Sequence, residues 1–411
     1  MDIPLRPILS TLRHHRLTAL LLVLQVAFTC AIACNVAFML AGRMARLSLP
    51  SGVAEDELSV VYSADARKDM TPSIRHAADL DRLRTIPGVR SVAAVSFSLP
   101  LNRNSSTSGV CPDQAALDRA MQRGSLDGTG CAAPSIYDGT PGLVATLGLR
   151  LVEGRDFAPG DYTTGSPAVA IVTRALAKRL YPDKDALGRA LYGGDKPMRV
   201  VGVVDTLLRP ALGQPGDEGD SLLVPQLPDD AGITYVLRSA PRERAGVLKA
   251  AVAALLAADP ERIVPAGQVR TYAQVRAEYF QRDVTMVGLL VASALGLLFV
   301  TALGIAGLAN FWVQQRRRTI GIRRAIGATR GDILRYFQAE NGLIVGTGAV
   351  LGMALALALN LLLMRRYELP RLPLSYLPVG ALALWALGQL SVLAPALRAA
   401  SVPPVAATRP A

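Results

Sequence analysis

Long runs without charge dominate the pattern of hydrophobic and polar positions. Each run is at least 24 residues long: Leu17–Gly42, Val284–Gln315, Asn341–Met364 and Leu372–Leu397. A helix of about 20 apolar residues crosses the hydrocarbon core of a bilayer. The pattern therefore predicts four membrane-spanning helices. The fourth is the shortest uninterrupted one, because Pro378 and Pro395 leave 16 residues between them.

The first run also allows a signal-peptide interpretation. The tripeptide Ala31-Ile32-Ala33 resembles a cleavage site, and the following Cys34 would suit a lipoprotein. The apolar region of a signal peptide is about 7–15 residues long. This run continues well past that length, so we favour an uncleaved span.

Residues 43–283 separate the first two spans and alternate between short strand-like and helix-like segments. The predicted strands are Leu58–Tyr62, Val92–Phe97, Val169–Val172, Arg199–Val204, Thr234–Arg238 and Arg262–Val264. The predicted helices are Asp79–Thr85, Thr173–Leu180 and Arg244–Ala257. This alternation predicts a large α/β domain. We expect Arg103–Gly130, rich in Ser, Gly and Asn, to be a surface loop, and His76 to be a solvated helix residue.

Composition and charge agree with a membrane protein. Hydrophobic residues make up 51% of the 411 residues and charged residues 18%, below the roughly 25% of soluble domains. The net charge is +12. Seven arginines lie in the loop between spans two and three: Arg316, Arg317, Arg318, Arg323, Arg324, Arg330 and Arg335. The opposite loop holds Arg365, Arg366 and Arg371, and Arg6, Arg13 and Arg16 lie in the N-terminal segment.

The distribution of these arginines predicts the orientation of the protein in the membrane through the positive-inside rule. The rule places both termini and loop 316–335 in the cytoplasm and domain 43–283 outside, which is the periplasm in a double-membraned bacterium and the extracellular side otherwise. Because membrane orientation accounts for the arginine excess, we expect no nucleic-acid partner.

Motifs for catalysis are missing from the sequence. It contains no Gly-x-x-x-x-Gly-Lys-[Ser/Thr], Gly-x-Ser-x-Gly, His-Glu-x-x-His or Cys-x-x-Cys. We therefore expect no catalytic, cofactor-binding or metal-binding residues, and no enzyme activity on this chain.

Three residue pairings carry structural predictions. Cys111 and Cys131 lie 20 residues apart in the outside domain, where an oxidising compartment favours a disulfide. Gly342-x-x-x-Gly346 and Gly348-x-x-x-Gly352 in span three have a spacing that suits helix packing. That spacing fits either a contact within the chain or a dimer seam.

The most specific segment is Arg316–Arg335. Ile322, Ile326 and Thr329 follow helical spacing, Gly327 is placed to end a short helix, and Thr329-x-x-Asp332 forms a capping box. These features predict a short amphipathic helix, a turn and then the third span. A small apolar face of this kind suits a groove on a partner.

Residues Arg316–Ala328 resemble the cytoplasmic loop of the FtsX/MacB family of ABC-transporter permeases. Weaker family-like motifs follow the family order: Gly154–Phe157, Val169–Val172, Val200–Val204 and Ala399–Val405. The resemblance implies that a coupling helix docks on an ATPase. Its residues would be Thr319, Ile320, Gly321, Ile322, Arg323, Arg324, Ala325, Ile326, Gly327 and Ala328.

The resemblance also implies an architecture. It is a polytopic α-helical membrane protein of four transmembrane helices, with a MacB-type periplasmic core domain between the first two. The predicted domains are 1–42, 43–283 and an FtsX-like 284–411. One periplasmic lobe would combine Leu58–Phe97 with Ser221–Arg276, and a second, Cys111–Arg209, would be inserted between its halves.

The implied function is that of a permease in the bacterial inner membrane. ATP would bind to a separate ATPase subunit, and a second permease copy or paralogue would complete a dimer. A MacB-type exporter or extractor would use the spans as levers and could require a periplasmic membrane-fusion protein. The alternatives are an FtsX-like signal transmitter and a LolC-like lipoprotein-releasing permease.

Overall fold

The computed structural model describes residues 16–65, 72–194, 196–213, 216–259, 261–367 and 371–401. Expectations for Arg6, Arg13 and residues 402–405 lie outside these ranges. The helices are α1 (Arg16–Leu47), α2 (Pro72–Arg84), α3 (Gln114–Arg123), α4 (Leu143–Leu147), α5 (Arg174–Leu180), α6 (Arg244–Ala258), α7 (Tyr272–Gln315), α8 (Arg317–Ala325), α9 (Arg330–Tyr367) and α10 (Tyr376–Ala400).

The strands fall between α1 and α7. They are β1 (Leu58–Asp65), β2 (Val89–Val95), β3 (Ser106–Thr107), β4 (Ser135–Asp138), β5 (Leu151–Gly154), β6 (Val169–Thr173), β7 (Ala190–Leu191), β8 (Met198–Val204), β9 (Ser221–Val224), β10 (Gly232–Ser239), β11 (Arg262–Ile263) and β12 (Val269–Thr271). The chain divides into a membrane unit, Met1–Ser48 with Arg282–Ala411, and an interspan domain, Leu49–Gln281. The sequence-based boundaries were residues 43 and 283.

Among the described residues, four helices are long and apolar enough to cross a membrane: α1, α7, α9 and α10. They contain the four charge-free runs, which confirms the predicted spans. α10 continues through both prolines. Pro378 lies in its first turn, where the missing N–H has no partner to lose. Pro395 lies in the last turns before Ala400.

Glycines in α9 allow close packing inside the membrane unit. A Cβ at Gly352 would lie 2.5 Å from Cys30 Cβ, and one at Gly348 would lie 2.8 Å from Val26 Cβ, both on α1. A Cβ at Gly342 would lie 3.0 Å from the side-chain amide of Gln389 on α10. At Gly346 it would meet nothing within 4 Å. Three of the four predicted packing glycines therefore serve contacts within this chain.

Polar side chains in the spans bond across helices, and Asn35 is one example. Its Nδ2 donates to Ala31 O at 2.9 Å and to Ala356 O on α9 at 3.2 Å. The hydroxyls of Thr29 and Thr301 lie 2.8 Å apart and join α1 to α7. Such bonds satisfy groups that lipid cannot.

The interspan domain contains two sheets. The first is antiparallel, with strand order β11-β1-β10-β2 and β12 also beside β1. The second has the order β3-β4-β9-β6-β8-β5, with β7 beside β8 and parallel pairs β4–β9 and β6–β8. Residues of both sheets share one core with α4, including Val60, Val95, Leu147, Ile171 and Val204. Helices α2 and α6 pack on the first sheet, and α5 on the second.

The two sheets correct the lobe boundary that the family resemblance implied. Ser221–Val224 was assigned to the first lobe, but β9 pairs in parallel with β4 and antiparallel with β6 in the second sheet. Leu222 and Leu223 are both fully buried there. The chain returns to the first sheet only at Gly232.

Two local expectations in this domain were wrong. Residues 103–130 were predicted to be a surface loop, but they include β3, α3 and the buried Val110 and Ala116. His76 was predicted to be solvated, but it is buried. Its Nε2 lies 2.9 Å from Asp230 O, and its Nδ1 lies 3.3 Å from the Tyr235 hydroxyl.

The hydroxyl of Tyr235 links His76 to a buried carboxylate. It donates to Asp79 Oδ2 at 2.6 Å, and Arg262 Nη1 donates to the same oxygen at 2.5 Å. Burial is the main cause of a lowered pKa for His76 and a raised pKa for Tyr235. The network joins α2 to the first sheet, and the buried carboxylate of Asp79 is paired with Arg262.

A disulfide joins Cys111 to Cys131. Cys111 is fully buried, and its backbone also pairs with Tyr192 through two hydrogen bonds of 2.7 and 2.9 Å. The bridge therefore closes the segment that carries α3 against the second sheet.

Candidate coupling surface between the second and third spans

Arg316 forms an elbow between α7 and α8. Its φ of −102° and ψ of 12° depart from helical values, so the second span ends at Gln315 and a new helix starts at Arg317. Ile320 and Gly321 are buried. Ile320 packs in a cluster with Trp312, Val313 and residues of α9. These two predicted docking residues therefore face the membrane unit instead of a partner.

Backbone geometry at Gly327 ends the helix, as its position predicted. Gly327 has a φ of 105°, which favours glycine. Its N–H bonds Arg324 O at 3.2 Å, and the N–H of Ala328 bonds Arg323 O at 3.1 Å. This pair of bonds is a Schellman motif. The break after α8 is therefore fixed by the sequence.

The next helix begins with the predicted capping box. Asp332 N donates to Thr329 Oγ1 at 3.2 Å, and Thr329 N donates to Asp332 Oδ2 at 3.0 Å. The two side chains satisfy each other's backbone groups at the start of α9. The turn between α8 and α9 is short and defined at both ends.

The remaining face of α8 is exposed and mixes apolar with basic side chains. Ile322 is 48% exposed, and Ile326 at the end of the helix is 82% exposed. Six other residues of the same segment are also exposed: Arg317, Arg318, Thr319, Arg323, Ala325 and Gly327. Arg324 and Ala328 are partly buried. The predicted coupling residues thus separate into an inner pair and an outer face.

Sequence reasoning missed the contacts that hold α8 to its neighbours. Arg316 Nη1 donates to Glu340 on α9. The Arg323 guanidinium lies 4.9 Å from the centre of the Tyr336 ring, and Arg324 Nη1 donates to Ala400 O at 3.1 Å. A signal was present: Glu340 immediately precedes the third charge-free run.

The interspan domain also contains a cleft of about 740 Å³. Tyr62, Phe97, Arg103 and Tyr279 lie among its lining residues. Leu101 and Arg103 adopt positive φ values of 61° and 68°, which side chains other than glycine rarely adopt. The backbone at this position is held by the N–H of Arg103, which donates to Pro210 O at 2.8 Å.

Among the described residues, no group of three or more His, Cys, Asp or Glu could hold a metal ion.

Known sequences match both parts of the chain. The MacB-like periplasmic core domain family matches residues 26–268, and the FtsX-like permease C-terminal family matches residues 291–404. The "Uncharacterized ABC transporter permease YknZ" of Bacillus subtilis (strain 168) is 26% identical over 275 residues, which cover 65% of this chain and 68% of that protein. The "Macrolide export ATP-binding/permease protein MacB" of Rhodospirillum rubrum is 28% identical over 262 residues, which cover 60% of this chain.

The matched part is about two fifths of that MacB relative, or 38% of its length. Among solved structures, the periplasmic region of MacB from Actinobacillus actinomycetemcomitans aligns with 55% of this chain and 94% of that one. The identity is 12% and the TM-score 0.33. The periplasmic-core match alone covers more than half of the 411 residues, and the FtsX-like match follows it in order. The chain belongs to the MacB/FtsX family of ABC-transporter permeases.

Proposed function

We propose that this chain is the permease subunit of a MacB-type ABC transporter and that a separate ATPase subunit docks on α8. The observation that carries the proposal is the exposed apolar pair Ile322 and Ile326 on a helix fixed at both ends. Exposed apolar side chains rimmed by polar ones mark interaction sites. Arg317, Arg318 and Arg323 are exposed on the same short helix, so the complementary groove should be apolar with an acidic rim.

Substrate handling is assigned to the interspan domain. The charge-free interiors of the four runs offer no ionised side chain for a polar substrate. The interspan domain, by contrast, carries a cleft lined by aromatic, amide and charged residues. ATP-driven movement of α8 would act through the spans on this domain, which would export or extract the substrate outside the membrane.

The proposed function requires a defined orientation of the chain in a bacterial membrane. Loop 316–335 and both termini would lie in the cytoplasm, with the interspan domain in the periplasm, in the inner membrane of a bacterium. The arginine excess in that loop supports this orientation through the positive-inside rule.

The test is a variant carrying Ile322→Asp and Ile326→Asp. Docking would bury two unpaired carboxylates, at a cost of at least about 3 kcal/mol, which lowers affinity by more than about 100-fold. The variant should insert in the membrane normally but lose the ATPase during purification from native membranes. Ile74→Asp is the matched control, because Ile74 is a 59% exposed helical isoleucine in the interspan domain. Full retention of the ATPase by the double variant would contradict the docking site.

The same purification tests the export assignment. Recovery of a membrane-fusion protein with the permease and ATPase would support export. Recovery of a peptidoglycan hydrolase in its place would contradict export and favour signal transmission.

A further inference from the structure

Arg316, between α7 and α8, and Glu340, on α9, form a buried ion pair. Arg316 Nη1 donates to Glu340 Oε2 at 2.8 Å and to Oε1 at 3.1 Å. The side chain of Glu340 is only 2% exposed, and that of Arg316 is 18% exposed. A charge buried in a membrane-spanning helix is costly unless it is paired. Each partner therefore depends on the other for its place in the structure.

The pair connects an elbow to the third span. Arg316 is the single residue between α7 and α8, and its backbone is bonded on both sides: Arg316 N to Trp312 O at 3.1 Å, and Ile320 N to Arg316 O at 2.9 Å. Its guanidinium also lies 5.8 Å from the centre of the Trp312 ring. The side chain thus reaches from the elbow to α9 while the backbone on either side stays bonded.

We propose that Arg316 and Glu340 are a positioning pair that fixes the start of α8 to α9. The inference rests on the proposed function, because it concerns how a force on α8 is delivered. A single non-helical residue is the point at which α8 would pivot when pushed. With Arg316 held by Glu340, a displacement of α8 moves α9 instead of bending the elbow.

The other end of α8 is held to the same helix. The Arg323 guanidinium stacks 4.9 Å from the Tyr336 ring of α9, and Arg324 reaches Ala400 O of α10. Two contacts with α9, one at each end of α8, fix the direction of the α8 axis. A single contact would leave α8 free to rotate about it. The ion pair is the more buried of the two, so it is the stronger constraint.

A neutral, well-packed pair would also fill this space, since buried ion pairs are replaceable by apolar residues without loss of stability. This gives the test. Glu340→Gln and Arg316→Gln each leave one charge without its partner. Arg316→Met with Glu340→Met removes both charges. Arg398→Gln, at an exposed arginine near the end of α10, is the control for loss of one positive charge.

The readout is amide hydrogen exchange of the full-length permease, alone and with its ATPase, with and without ATP. Both single variants should lose thermal stability. The double-methionine variant should regain it, yet the amides of α8 should exchange about tenfold faster than in the wild type, which corresponds to about 1.4 kcal/mol. In that variant the ATPase should still co-purify, but the ATP-dependent exchange changes in the interspan domain should be lost.

Wild-type exchange in α8 of the double-methionine variant, together with wild-type ATP-dependent changes, would overturn the proposal, because the pair would then only neutralise charge. Failure of the proposed function has a different signature. The wild-type chain would then bind no ATPase, while the exchange comparison on the permease alone would still decide whether the pair fixes α8.

Discussion

Two glycines of α9 allow the packing of the membrane unit to be tested with one substitution made at two places. Gly352→Ala adds a methyl group that would lie 2.5 Å from Cys30 Cβ and 2.7 Å from Ala27 O on α1. Gly346→Ala adds the same group where no atom lies within 4 Å. Both positions are in the interior of the same helix, so the gain in helix propensity is common to both variants.

The difference between the variants therefore isolates the cost of the clash. Carbon atoms normally pack at about 3.5–4 Å, so α1 and α9 must separate by about 1 Å at Gly352. One of the close neighbours is the backbone oxygen of Ala27, which cannot rotate away. Overpacking of this kind costs about 1–3 kcal/mol. We expect Gly352→Ala to be less stable than Gly346→Ala by about 2 kcal/mol.

Thermal unfolding in detergent, followed by tryptophan fluorescence, provides the measurement. The two tryptophans of the chain, Trp312 and Trp385, both lie in the membrane unit and so report on it. The expected difference in Tm is about 4 °C or more. Equal Tm values would refute the packing argument. A lower Tm for Gly346→Ala, with loss of a dimer, would instead place a seam at Gly346.

The remaining predictions concern the interspan domain and the topology. Closing a loop of 20 residues contributes about 3 kcal/mol in the chain-entropy model, so replacing Cys111 and Cys131 by Ala should destabilise the domain by that amount in proteolysis of the native state. Two free thiols in non-reducing mass mapping would contradict the bridge. Burial lowers the pKa of His76 below its ordinary 6.5, so the unfolded state binds the proton more readily and stability should fall as the pH drops below that value. His76→Gln should remove this dependence in urea unfolding at several pH values, and an unchanged slope would exclude His76 as its origin. Ser125→Cys should be labelled from outside once the outer membrane is permeable, whereas Thr319→Cys should require an opened inner membrane. The reverse pattern would invert the proposed orientation.

The sequence was sufficient for features that repeat along the chain or depend on adjacent residues. Uninterrupted apolar runs predicted the four spans because a span needs only length and low polarity. The capping box of Thr329 and Asp332 and the helix end at Gly327 were predictable because each involves neighbouring residues and backbone geometry. Six of the twelve strands in the described part of the interspan domain were predicted for the same reason, although their ends differ by a few residues.

Features that depend on distant partners were not predictable in this way. β9 is a short buried strand, and nothing in Ser221–Val224 itself says which sheet it joins. His76 follows a polar helical pattern, and its burial arises from Tyr235 and Asp230, which lie more than 150 residues away. Even within the predicted coupling segment, helical spacing did not show that Ile320 faces inward, because α8 is amphipathic with apolar residues on two sides.

The distribution of charge in the membrane unit supports the proposed mechanical role of its spans. The charge-free run of span three begins at Asn341, but α9 begins at Arg330, so Glu340 is buried one residue before that run. A buried carboxylate in such a place would ordinarily suggest an ion or substrate pathway. Here its oxygens are engaged by Arg316, and the amide of Asn341 donates to Gly388 O at 3.0 Å. The polar groups at this level of the spans therefore join helices to one another. That arrangement favours spans that move as connected rods over spans that conduct a substrate between them.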